Sequence, residues 1–214
     1  VVFRAGLAGI ARLALFRERR GGGGMFNVNG YEDRELQRFA NRLGALGKEG
    51  PKVANRAINR AGDMARAQVV RTLAVEVGLP QKTIRAAVHT RRSDWDHLSY
   101  TLESVGGDVS LRYFKKRETR DGVVAYLGRS RGNEEFIGNT FFRGGAFPGR
   151  RVDLTGTLGG HVYGRAGGRT ELERLRSGVV IPLEMVEGAS AVAFDEVVAK
   201  VLPQRLDHEI GRVL

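Results

Sequence analysis

Between Pro51 and Val77 the residues Ala54, Ile58, Ala61, Ala65, Val69 and Leu73 recur at steps of three and four. That is the period of one face of an α-helix, and no strand reproduces it over such a length. Half of the face is alanine, which adds little bulk beyond the backbone. Such a helix can lie very close to its neighbours, so the rest of the chain must supply elements that cover it. Pro51 suits the first turn, and "VGLP", residues 77–80, stops the pattern. Asn55, Arg56, Asn59, Arg60, Asp63 and Arg66 fall mostly elsewhere on the helix. A solvated face is the ordinary reading of such residues.

The flanking segments are helical on one side and extended on the other. Leu36, Phe39, Ala40, Leu43 and Leu46 predict an earlier helix over 31–47, with Glu32, Asp33 and Glu35 at its positive end. "QKTIRAAV" (81–88) predicts a short third helix. Beyond it, "LSYTLESV" (98–105), "VSLRYF" (109–114) and "GVVAYL" (122–127) read as strands separated by Gly106-Gly107-Asp108 and Asp121-Gly122. "EEFIGNTFF" (134–142) predicts another strand, or one bulged at Gly138. "HVYGR" (161–165) and "VVIPL" (179–183) predict two more. From Ser190 a closing helix buries Phe194, Val197, Val198, Val201 and Leu202. Pro203 should kink or break it, with Leu206, Ile210 and Val213 continuing the stripe. The expected fold is α+β: N-terminal helices and a C-terminal helix on an antiparallel sheet, with long Gly/Arg-rich loops. Residues 25–214 form its single domain, and residues 143–178 its mobile region.

The 214 residues suit one domain, and 42% hydrophobic content supports a core. There is no Cys, hence no disulfide framework and no thiolate site. A net charge of +11 favours an anionic partner, nucleic acid or an acidic protein surface. No apolar run has the roughly 20 residues a membrane span needs.

Catalytic patterns find little support. His89, His97, His161 and His208 are far apart. "SDWDH" (93–97) places two carboxylates and an imidazole close together, but a polar turn commonly carries the same residues. Glu134 and Glu135 are adjacent, so on a strand they point to opposite faces. "GRAGGRTE" (164–171) lacks the Gly-Lys-Ser/Thr ending of a phosphate loop, and no Gly-x-Ser-x-Gly elbow occurs. Neither catalytic residues, nor a metal, nor a cofactor is expected. Aromatics interleaved with cations in "VSLRYFKKR" and "HVYGR" could stack bases, although on strands such rings more often face the core. The basic residues singled out as partner- or DNA-facing are Arg56, Arg60, Arg66, Lys115, Lys116, Arg117, Arg143, Arg150, Arg151 and Arg165.

The order of segments resembles the minor tail protein Z family of tailed bacteriophages and prophages. The resemblance is carried by "ANRAINRAGDMARAQVVRTLAVEVGLPQKTIRAAV" (54–88), "VSLRYFKKRETRDGVVAYL" (109–127), "EEFIGNTFFRGG" (134–145), "GGHVYGRAGG" (159–168) and "VVIPLEMVEGAS" (179–190), followed by the closing helix. It covers about residues 30–214. The turn at Val186–Ser190 departs from the Gly-Pro-Ser more usual in the family, and "FPGRRVDLTGTLGG" is longer than usual. The resemblance implies a non-catalytic structural virion protein that completes the tail near its head-proximal end, after assembly in the host cytoplasm. It implies contacts with tail tube or head–tail connector proteins, a homo-oligomeric ring, plausibly sixfold, and proximity to packaged DNA. The alternative, argued from charge, is a basic DNA-binding accessory protein of the virion.

Ahead of these elements lies "RRGGGGMFN" (19–27), with four glycines directly before Met25. Every glycine codon begins with GG, and a purine run just before ATG has the form of a bacterial ribosome-binding site. The expectation is that Met25 is the natural first residue and that residues 1–24 are a non-native or disordered extension. The competing reading is an amphipathic arm on a Gly linker. A chain starting at Met25 should melt at the same temperature as the full chain and complete tails equally well. Detection of residues 5–16 by mass spectrometry of natural particles would refute the expectation.

Overall fold

The structure is a computed structural model that describes residues 3–5, 33–144, 148–149, 155–167, 171–187 and 189–214. Helix α1 spans Asp33–Ala45 and α2 spans Gly50–Glu76, with Pro51 in its first turn. Each residue of the face read from the sequence, from Ala54 to Leu73, is buried, Ala61, Ala65 and Leu73 wholly so, and Ala57, which that reading did not include, is wholly buried beside them. Alanine also has the highest helix propensity, so the residues that permit close packing also favour the helix locally.

The cover is α6, Ala189–Gly211. It runs antiparallel to α2, as contacts at both ends establish. Glu76, at the C-terminal end of α2, accepts hydrogen bonds from the Ala189 amide at 2.9 Å and the Ser190 hydroxyl at 2.7 Å. At the other end Arg56 lies 3.7 Å from Glu209, and Arg42 of α1 pairs with Asp207. Phe194, Val198, Val201, Leu202, Leu206 and Ile210 are buried, as the stripe predicts. Of the kink or break expected at Pro203, the break does not occur: the helix continues through it. An interior proline costs one ladder hydrogen bond and crowds the carbonyl four residues earlier, and the buried residues on either side hold the helix together through packing. Val213 lies past the helix and is exposed.

Around this pair the strands form three small antiparallel sheets instead of one. The first has the order β1-β3-β2, built from Phe3–Ala5, Thr101–Ser104 and Val88–Arg91, with β2 directly after the short helix α3, Gln81–Ala87. Phe3–Ala5 falls within the extension expected at 1–24; residues 6–32 lie outside the described residues. The second sheet is a meander of β4 (Lys116–Glu118), β5 (Gly122–Gly128) and β6 (Asn133–Gly138). The third joins β7 (Thr140–Phe141), β8 (Val162–Arg165) and β9 (Leu172–Leu175). The break between β6 and β7 falls at Asn139, in the left-handed region with φ 56°, and not at Gly138. Short helix α4, Thr155–Leu158, together with β9, occupies part of the region expected to be loop; much of the remainder lies outside the described residues.

Two segments expected to be strands are helical. Residues 111–113 form a 3-10 turn because the Ser110 hydroxyl accepts the Arg112 amide, which places Leu111 and Phe114 together in the core. Helix α5, Ile181–Glu187, replaces the strand expected at 179–183, with Pro182 in its first turn.

Close approach on α2 centres on Gly62. A Cβ there would lie 2.3 Å from the ring of Tyr100, which is wholly buried and donates to Asp63 at 2.9 Å. Gly62→Ala must displace that ring, so thermal unfolding should register a loss of about 1–3 kcal/mol. Ala65→Arg adds a buried charge and should unfold or aggregate the protein. An unchanged Tm in a soluble Ala65→Arg protein would mean that this face is misplaced.

Candidate interaction surfaces

The expected basic residues do not converge on one surface. Arg56 reaches toward Glu209 of α6, and Arg60 is exposed on α2. Arg66 departs from the outward orientation expected of it. It is half-buried, donates to the Val88 carbonyl at 3.4 Å, and so ties α2 to β2. Lys115 is exposed, and Arg117 lies 3.8 Å from Glu134 across the second sheet. Arg150 and Arg151 lie outside the described residues.

Lys116, Arg143 and Arg165 do share a region, together with residues that sequence reasoning passed over. In the third sheet Phe141, Tyr163 and Arg174 stand opposite one another across three strands, so they share a face. Arg165 is two residues from Tyr163 and joins that face, with its guanidinium 5.5 Å from the centre of the Phe141 ring. The opposite face carries Val162, wholly buried, and Leu175, packed on the core. The aromatic–arginine face is therefore the outer one. Next to it, Lys116 and Arg143 lie 5.2 and 5.5 Å from the Phe142 ring centre, within cation–π range. Glu118 accepts the backbone amides of Phe142 and Arg143 and fastens this segment to β4.

At the end of this face sits Ser110. Its hydroxyl oxygen accepts from the Arg112 amide at 3.4 Å and from Arg174 at 3.2 Å. The same oxygen lies 2.9 Å from His161 Nδ1. Donation by the hydroxyl to Nδ1 is the arrangement of a neutral imidazole that carries its hydrogen on Nε2. Burial, then the charges of Arg174, Arg112 and Lys116, hold its pKa below the ordinary histidine value. Lys116 donates to the carbonyls of Leu111 and Arg112, and burial followed by Arg112 lowers its pKa as well. Among the described residues, Arg112, Lys116 and Arg174 make no ion pair. The expectation that the rings face the core holds for Phe114 and fails for Tyr113, which is 52% exposed with Arg112 over its ring at 5.9 Å.

The "SDWDH" segment is a self-contained turn. Asp94 accepts the amides of Asp96 at 3.0 Å and His97 at 2.5 Å, and faces His97 Nδ1 at 3.3 Å. The His97 amide is the main reason its pKa lies below the usual carboxylate value. The turn is pinned from behind, where Asn59 accepts the Ser93 amide and donates to its carbonyl, both at 3.0 Å. Trp95 projects from it, 65% exposed. Among the described residues no group of three acidic or histidine side chains converges to hold a metal, and no helix is long and apolar enough to cross a membrane.

The charge around His161 has a direct readout. Arg174→Gln removes one of the cations that oppose imidazole protonation, so the His161 pKa should rise toward its ordinary value in an NMR titration. No change would mean that Arg174 does not sit beside the ring. Comparison of the chain with protein-family models, with curated proteins and with solved structures finds no match.

Proposed function

We propose that the chain is a non-catalytic structural protein of a phage tail, acting in tail completion and head–tail joining through protein–protein contacts. The reading draws its specific content from the ordered resemblance over residues 30–214. Among structural features, the one that supports it most is the display of large apolar groups on rigid supports. Trp95 stands on a turn tied to α2. Phe136 is 57% exposed on β6, an edge strand whose side chains are almost all exposed and whose outer backbone edge has no partner strand among the described residues. Tryptophan dominates interface energetics when a partner encloses it, and an open edge is a template for pairing with another chain. In this reading these groups meet tail tube or connector subunits, or further copies of the chain in a ring.

Expression alongside the tail tube and head-completion proteins of the same phage tests the reading. The chain should co-purify with tail components, and moderate salt should change this little. Trp95→Ala should weaken that association by about tenfold or more, while Tm stays within roughly 0.5 kcal/mol of the parent in stability terms. Tails that assemble and join heads normally without the protein would overturn the proposal.

A further inference from the structure

The face built on β7, β8 and β9 has no assigned task. Among the described residues Arg112, Lys116 and Arg174 have no carboxylate partner; Arg174 donates to the Ser110 hydroxyl, which lies 2.9 Å from His161 Nδ1, and the charges of all three act on that imidazole. Like charges held together without a counter-charge repel one another, and a bound anion relieves that repulsion. The donors suit phosphate oxygens: two guanidinium groups, an ammonium and an imidazole N–H. Rings interleave with the cations, Tyr163 meeting His161 edge-on with centroids 6.5 Å apart and Phe141 lying beyond it under Arg165. The positive strip therefore runs past the size of one phosphate and alternates charge with π surface.

We propose that this face binds the phosphodiester backbone of nucleic acid, with one phosphate held among Arg112, Lys116, His161 and Arg174 and with Tyr163 and Phe141 beside the adjoining nucleotides. An acidic peptide would match the charges but would have no use for the rings, whereas bases stack on aromatic faces. Glu173, the acidic residue of β9, is opposite Gly164 and so belongs to the other side of the sheet. Glu118 is turned onto backbone amides. This proposal does not rest on the tail-completion reading, and either can fail without the other.

The test uses the full chain and a fluorescent single-stranded DNA of ~30 nucleotides, long enough to exceed one site. Anisotropy should report binding that weakens as salt rises. Arg112→Gln combined with Arg174→Gln should weaken it at least about tenfold and flatten the salt dependence by about 0.7 in log–log slope, the amount for one lost phosphate contact on a single strand. Arg71→Gln combined with Arg85→Gln, exposed positions on α2 and α3, removes the same charge elsewhere and should have a much smaller effect. Arg112→Lys combined with Arg174→Lys should keep much of the affinity, which separates lost contact from lost structure. Equal losses in the two glutamine pairs would reduce the binding to net charge and overturn the proposal. Displacement by polyglutamate as effective as by unlabelled DNA at equal charge would overturn it in favour of an acidic protein partner, and so would absence of binding at low salt.

Discussion

Small residues along the buried arc of α2 set the distances on which the other contacts depend. Ala57, Ala61 and Ala65 leave room inside the core, and Gly62 leaves room for the Tyr100 ring against the helix backbone. The consequences spread from there. Tyr100 is held by its hydrogen bond to Asp63, which Arg92 also reaches at 2.5 Å, so one α2 carboxylate fixes both ends of the segment between β2 and β3. At the other end of α2, Gly128 of β5 lies so close that a Cβ would come within 2.2 Å of the Glu76 carbonyl, and its φ of +81° excludes most side chains anyway. The first two sheets are thus docked on a single helix by contacts that bulkier residues would forbid.

Glu76 shows how the same helix positions α6. Its carboxylate takes both the first amide of α6 and the Ser190 hydroxyl, and its backbone carbonyl accepts from Ser130 at 3.1 Å. A carboxylate at a helix N-terminus also complements the helix dipole. One residue therefore binds the end of α2, the start of α6 and the turn after β5. Arg131 adds a bond to the Gly178 carbonyl at 2.5 Å, tethering that turn to the segment before α5. Part of the basic character of the chain is consumed in such internal ties, as with Arg66, Arg92 and Arg131, so the net charge of +11 overstates what is free to meet a partner.

Much of the fold was legible because periodicity survives in long elements. Six buried residues on α2 and the stripe on α6 repeat often enough to define a face. Short elements carry no such redundancy. "VSLRYF" alternates like a strand, yet the Ser110 hydroxyl captures an amide two residues on, and the core then receives Leu111 and Phe114 at i and i+3. "VVIPL" is an apolar run that pattern cannot assign, and Pro182 could as well open a helix as disturb a strand. The basic–aromatic face was half legible. Its strand residues showed as aromatics mixed with arginines, but which face they occupied depended on Val162 and Leu175 turning inward. The pairing of Ser110 with His161 joins positions 51 residues apart, and no local spacing announces it.

The geometry of the third sheet explains why its outer face carries cations at all. β8 is central, and alternation sends Val162 into the core and Tyr163 and Arg165 out. Gly164 on the inner side offers no bulk, so Thr140 and Leu175 close over it at 3.9 and 3.5 Å from where a Cβ would stand. Inner closure of this kind keeps a small sheet thin and leaves its outer rings half-buried. Cations over those rings shield part of the apolar surface. That accounts for Arg165 over Phe141 and for Lys116 and Arg143 against Phe142 in terms of stability alone. It accounts equally for Arg112 over the Tyr113 ring, but not for Arg174, whose guanidinium donates to the Ser110 hydroxyl beside His161. Covering rings needs no such contact, and under the proposed phosphate binding Arg174 stands where a negative charge would be met.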